Sequence, residues 1–475
     1  MSRGSSKLSD GVKGFDCMTP IQPAIPWKKT AAGNPVSPDI YCADPTAVVY
    51  EGRLYLYGTN DHQQLLEGKT GSNTYEAIRS FVVFSTADMV NWTYHGIIPT
   101  GEIAPWIIAS WAPSVVSRKE ADGLTHFYLY FSNSGCGVGV LTSTDPVRGW
   151  SDPLGHPLIE AGMPGLGDVP NPFDPGAAID SEGNGWLTFG GGIAKHGTAA
   201  MPHTARIVRL GADLISPGSE ISEIPAPYFF EASELNIIGD TFVYTYNTNW
   251  EPRDAWDYSG KTAPTRCSMC CMTSKTPLIP ESWVYQKDYF ANPGDSGYPD
   301  SNNHTHLQEF DGQWYLFYHT LQREAGTGGS GGYRSLCVTP MQVHPAFAEY
   351  EKAAAADAGA PQKAPLNPFI RHSAAELSNS AGISYVSDSS GAVTGVRAEQ
   401  NGAWICVRGA DFGSGGNYLF SADFGSNRAV SVRPDAPDGT ELCSANSSAA
   451  EISGVHDLYL LLPEKDTVLL SWQFS

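Results

Sequence analysis

The chain has 475 residues, of which 41% are hydrophobic, 11% are aromatic and only 17% are charged, and 50 residues are glycine. These proportions exclude a disordered chain and are typical of a globular, turn-rich, all-β protein. The formal net charge of −21 argues against nucleic acid and anionic membranes as partners, and it suits a neutral ligand.

Residues 1–20 contain no apolar stretch of the kind found in secretory signals, and no apolar run is long enough to span a bilayer. The nine cysteines are scattered and odd in number, so they imply no disulfide framework and favour a reducing compartment. We therefore expect a bacterial, cytoplasmic protein, with secretion left open. The length predicts two domains or one large repeat fold.

One sequence pattern recurs five times along the chain. Each copy reads as a short strand, a glycine-containing turn and a second strand with alternating aromatic residues, which is typical of a β-hairpin. The copies are ADPTAVVYEGRLYLYGTND from Ala43, WAPSVVSRKEADGLTHFYLYFSN from Trp111, FDPGAAIDSEGNGWLTFGGG from Phe173, FEASELNIIGDTFVYTYNTN from Phe230 and NHTHLQEFDGQWYLFYHT from Asn303. Their spacing leaves room for a four-stranded sheet in each copy, and five such sheets arranged radially make a β-propeller.

The sequence divides into four parts. Residues 1–32 are expected to form an N-terminal extension, residues 33–350 the propeller, and the Ala- and Pro-rich residues 351–367 a linker. Residues 368–475 show short alternating strands between Gly, Asn and Ser turns, a pattern typical of a small sandwich. The expected fold is therefore all-β, a five-bladed β-propeller followed by a small β-sandwich domain.

Acidic residues occupy the same place in several copies of the repeat. Taking the second residue of each copy as the reference gives Asp44, Ala112, Asp174, Glu231 and His304. Because the innermost strand of each blade lines the central funnel, we expect these side chains to converge on one axis. The alternative is that the acids cap strands or hold a structural cation.

Three convergent carboxyl groups fit glycoside hydrolysis. That reaction needs an ionised base and a protonated acid on opposite sides of the scissile bond. A neighbouring carboxylate raises the pKa of the acid by like-charge repulsion and keeps it protonated near neutrality. A base, an acid and a residue that modulates the pKa of the acid therefore form a coherent set.

The motifs also resemble those of glycoside hydrolase family 43, and more closely its arabinoxylan-debranching members. The matching segments, in chain order over residues 33–345, are YCADPTAVVYEGRLYLYGTND, ADMVNWTYHGIIP, ASWAPSVV, FDPGAAID, YFFEASELNIIGDTFVYTYNTNW, NNHTHLQEFDGQWYLFYH and GYRSL. The resemblance implies a five-bladed propeller and an inverting mechanism. It makes Asp44 the general base, Asp174 the pKa modulator and Glu231 the general acid.

The resemblance also implies substrate-binding residues. His304 matches a central-channel histidine beside which a cation or water often lies, Arg334 matches an arginine that contacts the sugar, and Trp111 lies where the family builds its pocket wall. The sequence departs from the usual pattern at FEAS, at Pro170-Asn171-Pro172 before Asp174, and at NNHTH. These departures leave the preferred linkage open.

The C-terminal part resembles a family 6 carbohydrate-binding module in SAAELSNSAGI, NGAWICVRGADFGSGG and SGVHDLYLLLPEKDTVLLSWQFS. Glu376 matches a position that often binds a structural calcium. Trp404 and Trp472 are candidates for stacking on a sugar ring, the alternative being that both are core aromatics.

The expected function is therefore an inverting α-L-arabinofuranosidase that acts on plant cell-wall arabinoxylan or its oligosaccharides. No cofactor is expected for catalysis. A β-xylosidase or an arabinanase of the same fold remains an alternative, because the same three acids serve all of these reactions. A non-catalytic, sugar-binding propeller is the alternative from another class.

Overall fold

The computed structural model describes residues 22–193, 200–253, 256, 260–426 and 429–475. Most of the expected N-terminal extension, residues 1–21, lies outside the described residues. The described chain is built mainly of antiparallel strands, which confirms the all-β prediction. The helices are short: α1 (Asp61–Glu67), α2 (Thr100–Ile103), α3 (Gln322–Thr327) and the 3₁₀ turns Pro280–Ser282, Pro293–Ser296 and Pro345–Phe347. No helix of the described part is both long and apolar enough to cross a membrane.

Five antiparallel sheets follow one another in the part of the chain that the structure describes up to Met341. The first contains β1 (Ala43–Tyr50), β2 (Arg53–Thr59), β3 (Phe81–Thr86) and β4 (Trp92–Ile98). The second contains β5 (Trp111–Lys119), β6 (Thr125–Ser132), β7 (Gly137–Ser143) and β8 (Ile159–Glu160). The third contains β9 (Gly176–Ile179), β10 (Gly185–Gly190), β11 (Ala205–Arg209) and β12 (Ser222–Glu223). The fourth contains β13 (Phe229–Ile238), β14 (Thr241–Thr248), β15 (Met269–Ser274) and β16 (Val284–Phe290). The fifth contains β17 (Thr305–Phe310), β18 (Gln313–Thr320) and β19 (Ser335–Met341).

Each of the five repeated segments forms the first hairpin of its sheet, as the pattern predicts. In the first hairpin Tyr50 pairs with Arg53 across a two-residue turn. The turn residues Glu51 and Gly52 have φ angles of 48° and 75°. This left-handed pair matches the twist of the flanking strands.

The first strands of the five sheets lie side by side in a closed ring. β1 contacts β5, β5 contacts β9, β9 contacts β13, β13 contacts β17, and β17 returns to β1. Neighbouring sheets enclose clusters of buried apolar side chains between them. Successive residues of β6, in the second sheet, belong to clusters on opposite faces of that sheet. Leu129 packs toward the first sheet and Tyr130 toward the third. This alternation follows from the two-residue period of a strand.

The predicted register is wrong by one residue in the fourth sheet. Glu231 pairs with Asn247, as Ala43 pairs with Thr59, so Glu231 corresponds to Ala43 and not to Asp44. The true equivalents share a left-handed backbone, with φ of 50° at Asp44, 41° at Ala112, 49° at Asp174 and 58° at Ala232. The pairing shifts where the first strands begin, between Glu231 and Glu234 for example, and the residue pattern gives no sign of such a bulge.

The two strands β20 (Val343–His344) and β21 (Glu349–Tyr350) precede a C-terminal region of many short strands. One of its sheets contains β22 (His372–Ser373), β25 (Ile383–Ser387), β26 (Val393–Ala398), β28 (Phe420–Ser426) and β32 (Val468–Phe474). The other contains β24 (Asn379–Ala381), β27 (Ala403–Asp411), β29 (Ser431–Pro434), β30 (Cys443–Ser444) and β31 (Val455–Leu462). One apolar core lies between them. The remaining strand β23 (Glu376–Leu377) pairs with β4 and so extends the first sheet.

The segment between these two regions is packed against the protein. Asn34 donates to the carbonyl of Ala356, and the amide of Gly33 donates to the carbonyl of Asp357. The Lys28 ammonium donates to three carbonyls, one of them that of Ser378 in the C-terminal region. These contacts join residues 28–35 to the segment 351–367 and to the C-terminal region.

Candidate active site

A cavity of about 110 Å³ lies where the first strands of the ring begin. It is lined by Asp44, Tyr75, Trp111, Phe173, Asp174, Glu231, Asn302, His304 and Arg334. The structure thus brings together all six residues that the resemblance to family 43 assigned to catalysis and to sugar binding. Glu376 lies elsewhere, on β23.

The strained backbone at the head of the first strands turns two of the carboxylates into the cavity. Asp44 and Asp174 both adopt the left-handed conformation, which non-glycine residues rarely do. A side chain of the preceding sheet satisfies the amide of each: Asp44 donates to Nδ1 of His319 at 3.2 Å, and Asp174 donates to Oγ of Ser132 at 2.8 Å. Strain of this kind persists where the surrounding structure enforces it, as at functional sites.

Asp44 lies in a cationic environment. Nη1 of Arg334 donates to Oδ1 of Asp44 at 2.8 Å, and Nδ1 of His304 and Nδ1 of His319 lie 3.6 and 3.5 Å from the same oxygen. Burial alone would raise the pKa of Asp44, but these neighbours, Arg334 foremost, outweigh it and lower the pKa below its ordinary value. Asp44 is therefore ionised at neutral pH.

Arg334 is the cation that matters near neutrality. Burial lowers the pKa of His304 to about 4 and that of His319 to about 3, so both imidazoles are neutral there. Arg334 is also held by Asp61, since Nε donates to Oδ2 at 3.0 Å and Nη2 donates to Oδ1 at 2.9 Å. This bidentate pair leaves Nη1 directed at Asp44.

Asp174 and Glu231 form a pair of carboxyl groups on the other side of the cavity. Burial, with the repulsion of neighbouring carboxylates, raises the pKa of Asp174 to about 7 and that of Glu231 to about 8. Asp174 accepts hydrogen bonds from the amide of Ala232 at 2.9 Å and from the Ser132 hydroxyl at 3.2 Å. The side chain of Asn247 acts in the opposite direction and lowers the pKa of Glu231. Because donors stabilise an ionised carboxylate, Asp174 ionises first and Glu231 keeps its proton.

Several residues of the site were not singled out in the sequence. Asp61 is the last residue of the first repeat copy and the first residue of α1, so it resembles an ordinary acid at a helix terminus. His319 and Ser132 lie within predicted second strands, where polar residues are common. One signal in the sequence could have found His319 and Ser132. A hairpin places the end of its second strand opposite the beginning of its first strand, so polar residues at the ends of second strands are expected near the catalytic motifs.

The surroundings of Glu376 give little support to a calcium site. Its Oε2 lies 2.8 Å from Nδ1 of His372, and calcium prefers oxygen ligands. The side chains of His, Cys, Asp and Glu in the described ranges form no group of three or more that could hold a metal ion. The calcium therefore stays a prediction.

Trp404 and Trp472 belong to the core of the C-terminal region. Their exposed fractions are 0% and 1%. Stacking on a sugar needs an exposed ring face, so the core alternative is confirmed for both residues and the stacking alternative is wrong.

Comparison with known proteins places these features in a family. The model of Glycosyl hydrolases family 43 matches residues 32–345. An arabinoxylan arabinofuranohydrolase of Bacillus subtilis (strain 168) is 34% identical over 494 aligned residues, which cover 94% of this chain and 93% of that protein. One of Paenibacillus polymyxa is 31% identical, over 93% of this chain and 74% of that protein.

A solved structure shows the same overall likeness. The crystal structure of a glycoside hydrolase family 43 arabinoxylan arabinofuranohydrolase from Bacillus subtilis, in complex with cellotetraose, superposes with a TM-score of 0.84 at 32% identity. The superposition covers 94% of this chain and 98% of that one, so the likeness includes the C-terminal region.

Proposed function

We propose that this chain, which belongs to glycosyl hydrolases family 43, removes α-L-arabinofuranosyl side groups from arabinoxylan or arabinoxylo-oligosaccharides with inversion. Membership of the family makes it a glycoside hydrolase. The substrate is inferred from relatives that match most of the chain and are named for arabinoxylan.

One observation carries the proposal. A single small cavity holds an ionised carboxylate at Asp44 and a protonated carboxyl at Glu231. Hydrolysis with inversion needs one group of each kind, placed on opposite sides of the glycosidic bond. A cavity of about 110 Å³ suits one terminal sugar ring, and not a run of a polysaccharide chain.

The proposed reaction uses three carboxyl groups. Asp44 takes a proton from a water molecule as the water oxygen bonds to the anomeric carbon. Glu231 gives its proton to the glycosidic oxygen as the bond between that oxygen and the anomeric carbon breaks. Asp174 stays ionised, and its charge holds the proton on Glu231 until the leaving group takes it. No organic cofactor or redox metal takes part in these steps.

Three further residues are proposed to hold the sugar. Nη1 of Arg334 donates to Asp44 at 2.8 Å and makes a longer bond of 3.5 Å to Oδ1 of Asn302, which a sugar hydroxyl would replace. Trp111 is half-buried in the cavity wall and is fixed by a 2.9 Å hydrogen bond from Nε1 to the carbonyl of Tyr75. His304 adds a neutral imidazole to the lining.

The test is incubation of the protein with arabinoxylan, followed by identification of the released monosaccharides. Arabinose without xylose is expected, and proton NMR early in the reaction should show the β-anomer first. The Glu231→Gln variant serves as the control and should release almost nothing. Release of the α-anomer first would contradict the inverting mechanism.

The other outcomes separate the alternatives. Xylose as the product would make the protein a β-xylosidase, and release from arabinan alone would make it an arabinanase. Sugar binding with no hydrolysis at any pH would favour a non-catalytic propeller.

The architecture belongs to the same proposal. The closed contacts among β1, β5, β9, β13 and β17 support a five-bladed propeller over residues 33–350, and the shared core supports a β-sandwich over 368–475. Limited proteolysis of the full chain tests the boundaries. Cleavage confined to residues 351–367 would agree with a linker, and resistance there would contradict it.

Two predictions remain to be measured. A structural calcium at Glu376 would make the midpoint of thermal unfolding fall on addition of a chelator, and Glu376→Gln should abolish that difference. The cytoplasmic location is tested by fractionation of the producing cell, where recovery in the culture medium would contradict it.

A further inference from the structure

Four buried residues at the ends of second strands lie beside the catalytic carboxyl groups and do not line the cavity. These are Thr59 on β2, Ser132 on β6, Asn247 on β14 and His319 on β18, and we call them the strand-end ring. Each of their side chains is fully buried, with an exposed fraction of 0%. They therefore act through the carboxyl groups and not on the substrate.

Every member of the strand-end ring acts on a catalytic residue. The side chain of Thr59 lowers the pKa of Asp44, and that of Asn247 lowers the pKa of Glu231. His319 accepts the amide proton of Asp44 and lies 2.9 Å, through Nε2, from the carbonyl of Asn302. Ser132 accepts the amide proton of Asp174 and donates its own proton to Oδ1 of Asp174. Thr59 and Asn247 lie in the same hairpin as the carboxyl group that they affect, whereas Ser132 and His319 reach it from the preceding sheet.

We propose that the strand-end ring determines which of the catalytic carboxyl groups are protonated. Ser132 is the positioning residue that keeps Asp174 ionised while Glu231 is protonated. This inference rests on the proposed function, since it deepens the account of the same site.

The surroundings of Asp174 explain why one hydroxyl has this effect. The charged and titratable groups that face it are Asp44, Glu231, Arg334 and Tyr244. No ion pair joins Arg334 to Asp174 among the residues that the structure describes, since its guanidinium is engaged by Asp44 and Asp61. The direct donors to the Asp174 carboxylate are the amide of Ala232 and the hydroxyl of Ser132. Of these two, only the hydroxyl can be removed by substitution.

The direction of the effect follows from the order of ionisation. Asp174 loses its proton first, and that step sets the acidic limb of the activity profile, because Asp44 ionises at lower pH. Loss of the Ser132 hydroxyl destabilises the Asp174 anion and moves this limb to higher pH by about one unit. The alkaline limb reports loss of the Glu231 proton. Asp174 is ionised before and after that step, so the alkaline limb should stay in place.

Ser114 provides a matched control. Its Oγ accepts the amide proton of Ala177 at 2.9 Å, which is the same kind of bond between neighbouring sheets, and its side chain is also buried. It makes no hydrogen bond to a carboxylate in the described structure. Ser114→Ala therefore removes a comparable contact without changing which catalytic carboxyl groups are protonated.

The experiment measures kcat/KM against pH for the wild type, Ser132→Ala, Ser132→Thr and Ser114→Ala. The acidic limb should move upward in Ser132→Ala alone, with Ser132→Thr restoring the wild-type limb because it keeps the hydroxyl. An unmoved limb in Ser132→Ala, or an equal shift in Ser114→Ala, would overturn the inference.

A second readout separates this inference from the proposed function. If the wild type hydrolyses nothing, the proposed function fails. Infrared difference titration of the carboxyl groups still tests Ser132, because a carboxyl group should ionise at higher pH in Ser132→Ala than in the wild type. Superimposable titrations would overturn the role of Ser132 whatever the activity.

Discussion

The two sides of the catalytic cavity use the same functional group in opposite environments. On one side, Asp44 is paired with Arg334, and its pKa is lowered. On the other side, Glu231 faces Asp174, and burial together with the second carboxylate raises the pKa of Glu231. Both lie at the head of first strands in the same ring of sheets.

The difference shows that charge in the immediate surroundings decides the chemical role of a carboxyl group in this fold. The repeated backbone places acidic side chains near one axis, but it does not determine which of them acts as the general base and which as the general acid. The distinction comes from Arg334 and its partner Asp61, and from the donors to Asp174. Two carboxyl groups whose environments push their pKa values apart can serve as base and acid.

The largest expected effect comes from removing either group. Asp44→Asn and Glu231→Gln should each lower kcat on arabinoxylan by roughly 10²–10⁴-fold, since each removes one proton-transfer step. The two variants should differ on a 4-nitrophenyl arabinofuranoside. Its leaving group needs no proton, so Glu231→Gln should recover much of its rate and Asp44→Asn should not. Equal losses on both substrates would contradict the assignment of acid and base.

Removing the cation should destabilise the fold. Arg334→Met leaves the buried carboxylates of Asp44 and Asp61 without their partner, and loss of one member of a buried ion pair costs about 3–5 kcal/mol. Urea unfolding measures this loss. The double variant Asp61→Asn/Arg334→Met should recover part of it. A double variant no more stable than Arg334→Met would argue against a charge effect.

Removing the modulator should move one limb of the pH profile. Asp174→Asn should lower kcat/KM, because a neutral residue at 174 resembles the protonated Asp174 of the acidic limb. It also eliminates a negative charge beside Glu231, so the pKa of Glu231 should fall and the alkaline limb of the residual kcat/KM should move to lower pH by roughly one unit. The Ser114→Ala variant should leave that limb in place. A shift to higher pH in Asp174→Asn would contradict repulsion between the two carboxyl groups.

The last expected effect is on stability as a function of pH. The pKa of Glu231 is raised in the folded protein, so the folded state keeps a proton that the unfolded state loses above about pH 4.5. The wild type therefore loses stability as the pH rises from that value toward about 8. Glu231→Gln has no such proton, and its unfolding midpoint should exceed that of the wild type by more at pH 8 than at pH 5. A constant difference would show that Glu231 does not titrate in this window.

The sequence predicted the hairpins and the convergence of three acids on one cavity because both depend on local pattern. Asp44, Asp174 and Glu231 each begin a recognisable motif, and the glycine turns follow at fixed distances. The register of Glu231 was missed because a bulge of the backbone leaves no mark in the residue pattern. Asp61 was missed because its partner Arg334 lies 273 positions away, and only closure of the ring brings them together. Ser132 and His319 were missed for the same reason, since each contacts an aspartate that belongs to a different sheet.

The central claim is that Glu231 is protonated and Asp44 is ionised in the same cavity at the same pH. Infrared difference spectra of the wild type against Glu231→Gln and against Asp44→Asn, recorded between about pH 7 and 8, where Asp174 is ionised ahead of Glu231, test it directly. The carbonyl stretch of a protonated carboxyl group should be present in the wild type, strongly reduced in Glu231→Gln and retained in Asp44→Asn. Loss of that band in Asp44→Asn, with its retention in Glu231→Gln, would contradict the account.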